Sequence, residues 1–263
     1  MRSLAIGATG MIAQQLNVET ISNNIANSTT TGYKKQRAEF QDLLYQNFRR
    51  IGSTSSDAGT IVPTGVQVGA GVRVAAVARV LEQGNLNITD NKLDVAINGS
   101  GYFQVTLPSG DTAYTRAGNF KLSPEGMIVT ADGYPIQPNI TIPTNAVDIS
   151  INSSGEVLIK LDGQTATQNV GQIQLATFAN AAGLEATGDN LFMESGASGQ
   201  AVTGNPGAPG FGRVTQGALE TSNVNVVQEI TTLITAQRAY EMNSKVITAA
   251  DQMMSATTQM FRG

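Results

Sequence analysis

The chain has 263 residues without a single histidine, cysteine or tryptophan, and only 14% of it is charged. Lack of cysteine excludes a disulfide, a thiolate nucleophile and any Cys-ligated zinc or iron–sulfur site. Lack of histidine removes the side chain best matched to proton transfer near neutral pH, and the commonest metal ligand with it. Lack of tryptophan removes the best platform for stacking a sugar or a base. A net charge of −4 provides no basic field to hold nucleic acid or an anionic membrane, so neither is expected as a partner. Long apolar runs are missing as well, so no membrane insertion is expected. The start, MRSLAIGATGMIAQQ, carries one positive charge, and Gly7, Thr9 and Gly10 interrupt its apolar stretch. A cleavable secretory signal is therefore not expected. Carboxylates and lysines remain available for catalysis, but these absences argue against an enzyme, and no cofactor is expected.

Charge is scarcest where helical periodicity is clearest. Between Met1 and Thr31 the only charged side chains are Arg2 and Glu19, and the polar positions include Gln14, Gln15, Asn17, Ser22, Asn23, Asn24 and Asn27. An ordinary surface helix covers its outer face with Lys and Glu. Leu4, Met11, Val18 and Ile25 recur at every seventh position, with Ile21 following Val18, and Val226, Leu233, Tyr240, Ile247, Met254 and Phe261 keep the same step at the other end. Such a repeat supercoils helices left-handedly around a narrow apolar seam. The terminal helices are expected to pair as a coiled-coil-like hairpin. Their remaining faces, rich in small and amide side chains, suit close packing against other copies of the chain without desolvating charge. The expected assembly interface comprises Leu4, Met11, Val18, Ile21, Ile25, Asn23, Asn24 and Asn27 from the first helix, and Val226, Leu233, Tyr240, Ile247 and Met254 from the last.

The middle of the chain follows a different period. After the turn NSTTTG (Asn27–Gly32), the spacing of Phe40, Leu43, Leu44 and Phe48 predicts a short second helix, and Lys34, Lys35 and Arg37 read as a solvated basic face. Ile51–Gly65 is small, polar and aperiodic, and reads as an extended arm. Val66 to Val80 then alternates, which predicts a long β-strand. Turn signals at Pro108-Ser109-Gly110, Pro124-Glu125-Gly126, Ala131-Asp132-Gly133, Ser153-Ser154-Gly155 and Asp162-Gly163 separate apolar or alternating runs, the pattern of antiparallel hairpins. Gly196–Gly212 reads as a long surface loop without a core of its own. The predicted fold is α+β: a helical domain of residues 1–35 with 222–263, a connector and arm over 36–80, and a β-rich domain over 81–221.

Motifs for chemistry fail on inspection. GSGYFQ (Gly99–Gln104) and GAGVRV (Gly69–Val74) begin a dinucleotide fingerprint but lack its third glycine and its helix, so close backbone approach within a sheet is the better reading. DNKLDV (Asp90–Val95) puts Lys92 and Val95 where a calcium loop needs a ligand and a glycine. Asp94, inside LDVAI, is the carboxylate nearest to an apolar setting, and a hydrogen bond at a turn or strand end is its expected role. No catalytic residue is assigned.

Three long stretches carry a resemblance. SNNIANSTTTGYKKQRAEFQDLL (Ser22–Leu44) is similar to the N-terminal signature of the bacterial flagellar rod and hook proteins. LDVAINGSGYFQV with YTRAGNFKLSPEGMIVTADGYPI resembles their β-domain motif, and ETSNVNVVQEITTLITAQRAYEMNSKVITAADQMM (Glu220–Met254) resembles their C-terminal helix. GVQVGAGVRV and the polar arm before it resemble the distal-rod branch more than the hook. The resemblance implies a structural subunit of the flagellar rod, the drive shaft crossing the periplasm. It implies export through the flagellum's own secretion apparatus and polymerisation into an open, rigid helical tube. The implied partners are further copies of the chain, proximal rod proteins at one end, the hook protein at the other, and the surrounding ring or bushing proteins. A brace between neighbours around Tyr45–Gly65 is likewise implied by resemblance alone. The rival readings are a proximal rod or hook subunit and, from another class, an exported enzyme that cuts peptidoglycan.

Overall fold

The computed structural model describes residues 2–49, 64–164 and 166–260. Most of the polar arm and the last seam residue, Phe261, lie outside the described residues. The chain divides into two compact units: Met1–Ile25, Gln36–Ala78 and Val226–Gly263 form the first, and Ala26–Lys35 with Arg79–Asn225 the second. The class is α+β, with a helix at each end and a mainly antiparallel β region between them.

In the first unit, helix α1 (Arg2–Ala26) and helix α2 (Val226–Met260) touch in an antiparallel sense. Gly7 faces Ile247, Gly10 faces Asn243, and the Asn24 amide donates to Glu229 at 3.2 Å. The two helical glycines weaken α1 by propensity, but they let it approach its neighbour. A Cβ on Gly7 would lie 2.9 Å from Ile247 Cγ1, and one on Gly10 2.8 Å from Asn243 Nδ2. Short strands complete this unit. Gln36–Asp42 pairs with Val72–Arg79, and Tyr45–Arg49 pairs with Val66–Gly69.

Two expectations are corrected here. The segment expected as a short helix is instead the two strands Gln36–Asp42 and Tyr45–Arg49, and Leu44 and Phe48 stay exposed at 87% and 61%. The reason is tertiary. Asn24 Nδ2 donates to the Gln36 carbonyl and Asn24 Oδ1 accepts from the Gln36 amide, both at 2.8 Å. That bidentate grip holds Gln36 as a neighbouring strand would, and a long-range strand partner overrides a weak local preference for helix. The long alternating strand is also broken, at residues 70–71. Gly71 has φ +122°, and a Cβ there would fall 2.3 Å from Thr9 Oγ1, so the chain turns at a residue with no side chain to clash.

The second unit holds the main core. A six-stranded antiparallel sheet runs in the order Glu185–Gly188, Leu191–Met193, Thr112–Thr115, Tyr102–Thr106, Leu175–Thr177, Val202–Gly204. A three-stranded meander of Ala146–Ile151, Glu156–Leu161 and Thr167–Gln172 packs its inward residues Ile151, Val157 and Ile159 against Phe103, Phe120, Ile136 and Leu175. The Phe103 and Phe120 rings meet edge to face, centroids 5.0 Å apart, a geometry favoured by the aromatic quadrupole. Two predicted hairpin turns, at Gly155 and Gly163, connect the meander with φ of +78° and +76°, the left-handed region their lack of a Cβ makes accessible. The segment expected as a coreless loop contributes more than that: Val202–Gly204 adds an edge strand to the large sheet, and Phe211 packs against the core. Lys160 is exposed on the central strand of the meander.

Asp94 shows how the unit handles a buried carboxylate. It is 6% exposed, and its two oxygens accept from the Thr89 hydroxyl at 2.7 Å and the Asn91 amide at 2.8 Å. This is the turn role its setting suggested. Asp94→Ala should cost about 1–3 kcal/mol by leaving two donors without their acceptor. Urea denaturation of the full chain would measure it, and an unchanged midpoint would refute the role.

Candidate assembly surfaces

The terminal helices carry the residues expected at an interface, and the structure sorts them by burial. On α1, Ile21 and Asn24 are buried, Leu4, Met11, Val18, Ile25 and Asn27 are half-buried, and Asn23 is exposed. The buried face of α1 is made of Gly7, Ala13, Thr20, Ile21 and Asn24, which flanks the seven-residue seam instead of coinciding with it. Asn24 spends its amide on Gln36 and Glu229 inside its own unit. On α2, Leu233 and Ile247 are half-buried beside the buried Ala236 and Ala250, while Val226, Tyr240 and Met254 are about two-fifths exposed.

A second apolar set lies on α2, away from that seam. Val227, Ile230, Ile234, Met242, Val246 and Met253 are all exposed, with Val227 at 76% and Met253 at 64%. At roughly 100° per residue, these positions spread over a broad arc of α2 whose centre lies opposite Leu233, Ala236, Ile247 and Ala250. Lys245 and Arg238 are the cations interspersed among them. One helix therefore presents apolar side chains on two sides, and only one of these is covered by the described residues. Exposed apolar patches of this kind mark interaction surfaces.

The second unit has its own unusual feature, a buried ion triad. Glu220 is 1% exposed. Its Oε1 accepts from Lys34 Nζ at 2.5 Å and from the Gly84 amide at 3.0 Å, and its Oε2 accepts from Arg116 Nε at 2.5 Å. The rest of Arg116 donates to the Gly99, Gly101 and Ile97 carbonyls, and Lys34 donates to the Glu82 carbonyl. Asn223 closes the same region: its Oδ1 accepts from the Lys35 amide, and its Nδ2 donates to the Val80 and Glu82 carbonyls. Burial pushes Lys34 below its ordinary pKa, with Glu220 opposing the shift. For Glu220 burial acts upward, but Arg116 and Lys34 together outweigh it and leave the carboxyl below its ordinary range.

This triad corrects the reading of Lys34 as part of a solvated basic face. Lys34 is 6% exposed, whereas Arg37 is exposed. The signal that could have revealed it is Glu220, a lone acid following the apolar GAL stretch, in a chain with few charges. The three members come one each from the three stretches that carried the resemblance: Lys34 from TGYKKQ, Arg116 from YTRAGNF and Glu220 from ETSNV. The Gly99–Gly101 loop, which begins like a dinucleotide fingerprint, turns its carbonyls inward onto Arg116, an arrangement for a cation. Among the described residues, no three His, Cys, Asp or Glu side chains come together to hold a metal ion, and no helix is long and apolar enough to cross a membrane.

Comparison with known proteins follows the same three stretches. Residues 4–34 match the flagella basal body rod protein family, residues 96–159 the flagellar hook protein FlgE/F/G D1 domain, and residues 215–260 the flagellar basal body rod FlgEFG protein C-terminal family. The flagellar basal-body rod protein FlgG of Caulobacter vibrioides is 63% identical, with 99% of each chain covered. That of Agrobacterium fabrum is 54% identical, covering 98% of this chain and 99% of its own. That of Bacillus subtilis is 41% identical over the whole of both chains. On this similarity from end to end, the chain belongs to the FlgG family of flagellar basal-body rod proteins.

Proposed function

We propose that the chain is a structural subunit of the distal rod of the bacterial flagellum, acting in the basal body as part of the drive shaft and export conduit. It works by self-association: a head-to-tail contact that does not close on itself builds an open helical tube. The observation that carries this reading is the pair of apolar faces on α2, one covered by the described residues and the other left exposed by them. In the proposed tube the half-buried seam residues Leu4, Met11, Val18, Ile25, Leu233 and Ile247 hold a coiled-coil-like helix pair. Val226, Tyr240, Met254, Asn23 and the outward strip meet neighbouring copies. The β-rich unit brings its own core to the assembly. Proximal rod proteins at one end, the hook protein at the other and ring proteins around the shaft are the proposed partners, with the flagellar export apparatus delivering the chain.

The work done is mechanical, and no side chain turns over a substrate. Negative-stain microscopy of concentrated protein tests the proposal directly, the expected result being straight tubes of constant diameter. Purified protein that stays monomeric at any concentration, or that degrades purified peptidoglycan in a manner abolished by changing one carboxylate, would overturn it.

A further inference from the structure

Beside the ion triad lies a cleft of about 430 Å³, lined among others by Lys34, Ser100, Tyr102, Arg116 and Phe178. Among the described residues no Asp or Glu lines it, and its cationic wall is overcharged. Two cations share the single carboxylate of Glu220, leaving one positive charge at a site where Lys34 and Arg116 side chains are 5% and 6% exposed. Donor arithmetic points the same way. An ammonium has three N–H donors, and Lys34 uses two, on Glu220 and Glu82. A guanidinium has five, and Arg116 uses four, on Glu220, Gly101, Ile97 and Gly99. One donor on each cation is left over, on two groups already drawn together by the same carboxylate. The neighbouring wall is aromatic, with Tyr102 and Phe178 edge to face at 5.9 Å.

We propose that this cleft is a binding subsite for a carboxylate, which enters as fourth member of the triad and lays its short aliphatic stem against Tyr102 and Phe178. A single negative charge brings the cluster to neutrality, whereas a phosphate dianion would overshoot it. Desolvation of Lys34, which favours its neutral form, is offset when a second anion arrives. The carboxylate can come from an Asp or Glu side chain of another copy or from a free small acid, and the two sources are separable by experiment.

The test uses dilute full-length chain and follows the Lys34 Nζ resonance by NMR during titration with butyrate, with butyramide as the neutral control. Butyrate should produce a saturable shift of Lys34 Nζ and of the Gly101 amide, with butyramide at least tenfold weaker. Ala179 and Ala181 also line the cleft. Ala179→Phe should fill it and abolish the response while leaving the starting Lys34 resonance in place, and Ala181→Leu repeats the test should the first variant not fold. No shift, or an equal shift with the amide, would overturn the proposal. In concentrated protein, butyrate that delays tube formation identifies another copy as the source. Tubes that form unhindered while butyrate binds identify a free acid instead, so failure of tube formation itself is distinguishable from failure of the cleft.

Discussion

Glu220→Gln should lower the stability of the full chain by about 3–5 kcal/mol, the cost of removing one partner of a buried ion cluster. Gln fills the same volume, so packing is kept and the change isolates charge. It leaves Lys34 and Arg116, both nearly inaccessible, facing each other across a neutral amide. Arg116→Met should cost a similar amount, because it also strands the Gly99, Gly101 and Ile97 carbonyls that Arg116 now satisfies. Lys34→Met should be milder than either. It removes the surplus cation, whose burial already works against its charge, and leaves one neutral Arg–Glu pair. Urea midpoints at constant m-value would rank the three. Equal losses for all three would show that the cluster is not overcharged.

The same cluster sets two pH dependences of opposite origin. The Glu220 carboxyl sits below its ordinary value in the folded chain, so folding binds fewer protons there than the unfolded chain does. Its stabilisation is fully present above the unfolded carboxyl pKa, about 4.3, and is lost as pH falls through the lower folded value. Lys34 is also held below its ordinary 10.5. The folded chain again binds fewer protons, so its burial penalty applies below the folded pKa and is relieved as pH rises from there towards 10.5. Glu220→Gln should flatten the acid limb of the stability profile, and Lys34→Met the alkaline limb. An acid limb that stays equally steep in Glu220→Gln would assign acid sensitivity to other carboxylates.

What could be read from the residues alone divides along a physical line. Elements whose signal is local were readable. The α2 periodicity from Val226 to Met254 marks a helix because its repeat is carried by side chains within a turn or two of each other, and Gly155 and Gly163 mark hairpins because the turn itself demands their backbone. Elements decided by distant partners were not. The apolar spacing of Phe40, Leu44 and Phe48 fits a helix face, but the chain there is held extended by Asn24 and by two strands from further along the chain, Val66–Gly69 and Val72–Arg79. The triad escaped for the same reason: Lys34 reads as one of three neighbouring cations, and only the fold brings it to an acid 186 residues along the chain. On α1 the seven-residue spacing marks the correct side of the helix only approximately, since Gly7 and Ala13 are buried by closeness of backbone rather than by apolar bulk.

Leu233→Asp should abolish tube formation and motility while leaving the thermal transition of the β-rich unit nearly unchanged. Leu233 is a half-buried member of the α2 seam, one turn from the buried Ala236. Burying a leucine fully is worth roughly 1.5–3 kcal/mol. Asp forfeits what part of that Leu233 realises and adds an uncompensated charge among packed helices. In one subunit the loss is modest, and the β-rich unit keeps a core built on Phe103, Phe120 and Val157 that does not include this residue. In a helical lattice the same loss recurs at every subunit, so a local defect becomes a failure of the assembly. Ile234→Asp separates the two sides of the helix. Ile234 is 46% exposed on the outward strip, so this variant should leave the monomer intact and still prevent tubes. Lys160→Ala, on an exposed position of the meander, should do neither. Cells carrying Leu233→Asp that still built full-length rods and swam would show that the seam takes no part in assembly, whereas tubes formed by Ile234→Asp alone would confine assembly to the seam side of α2.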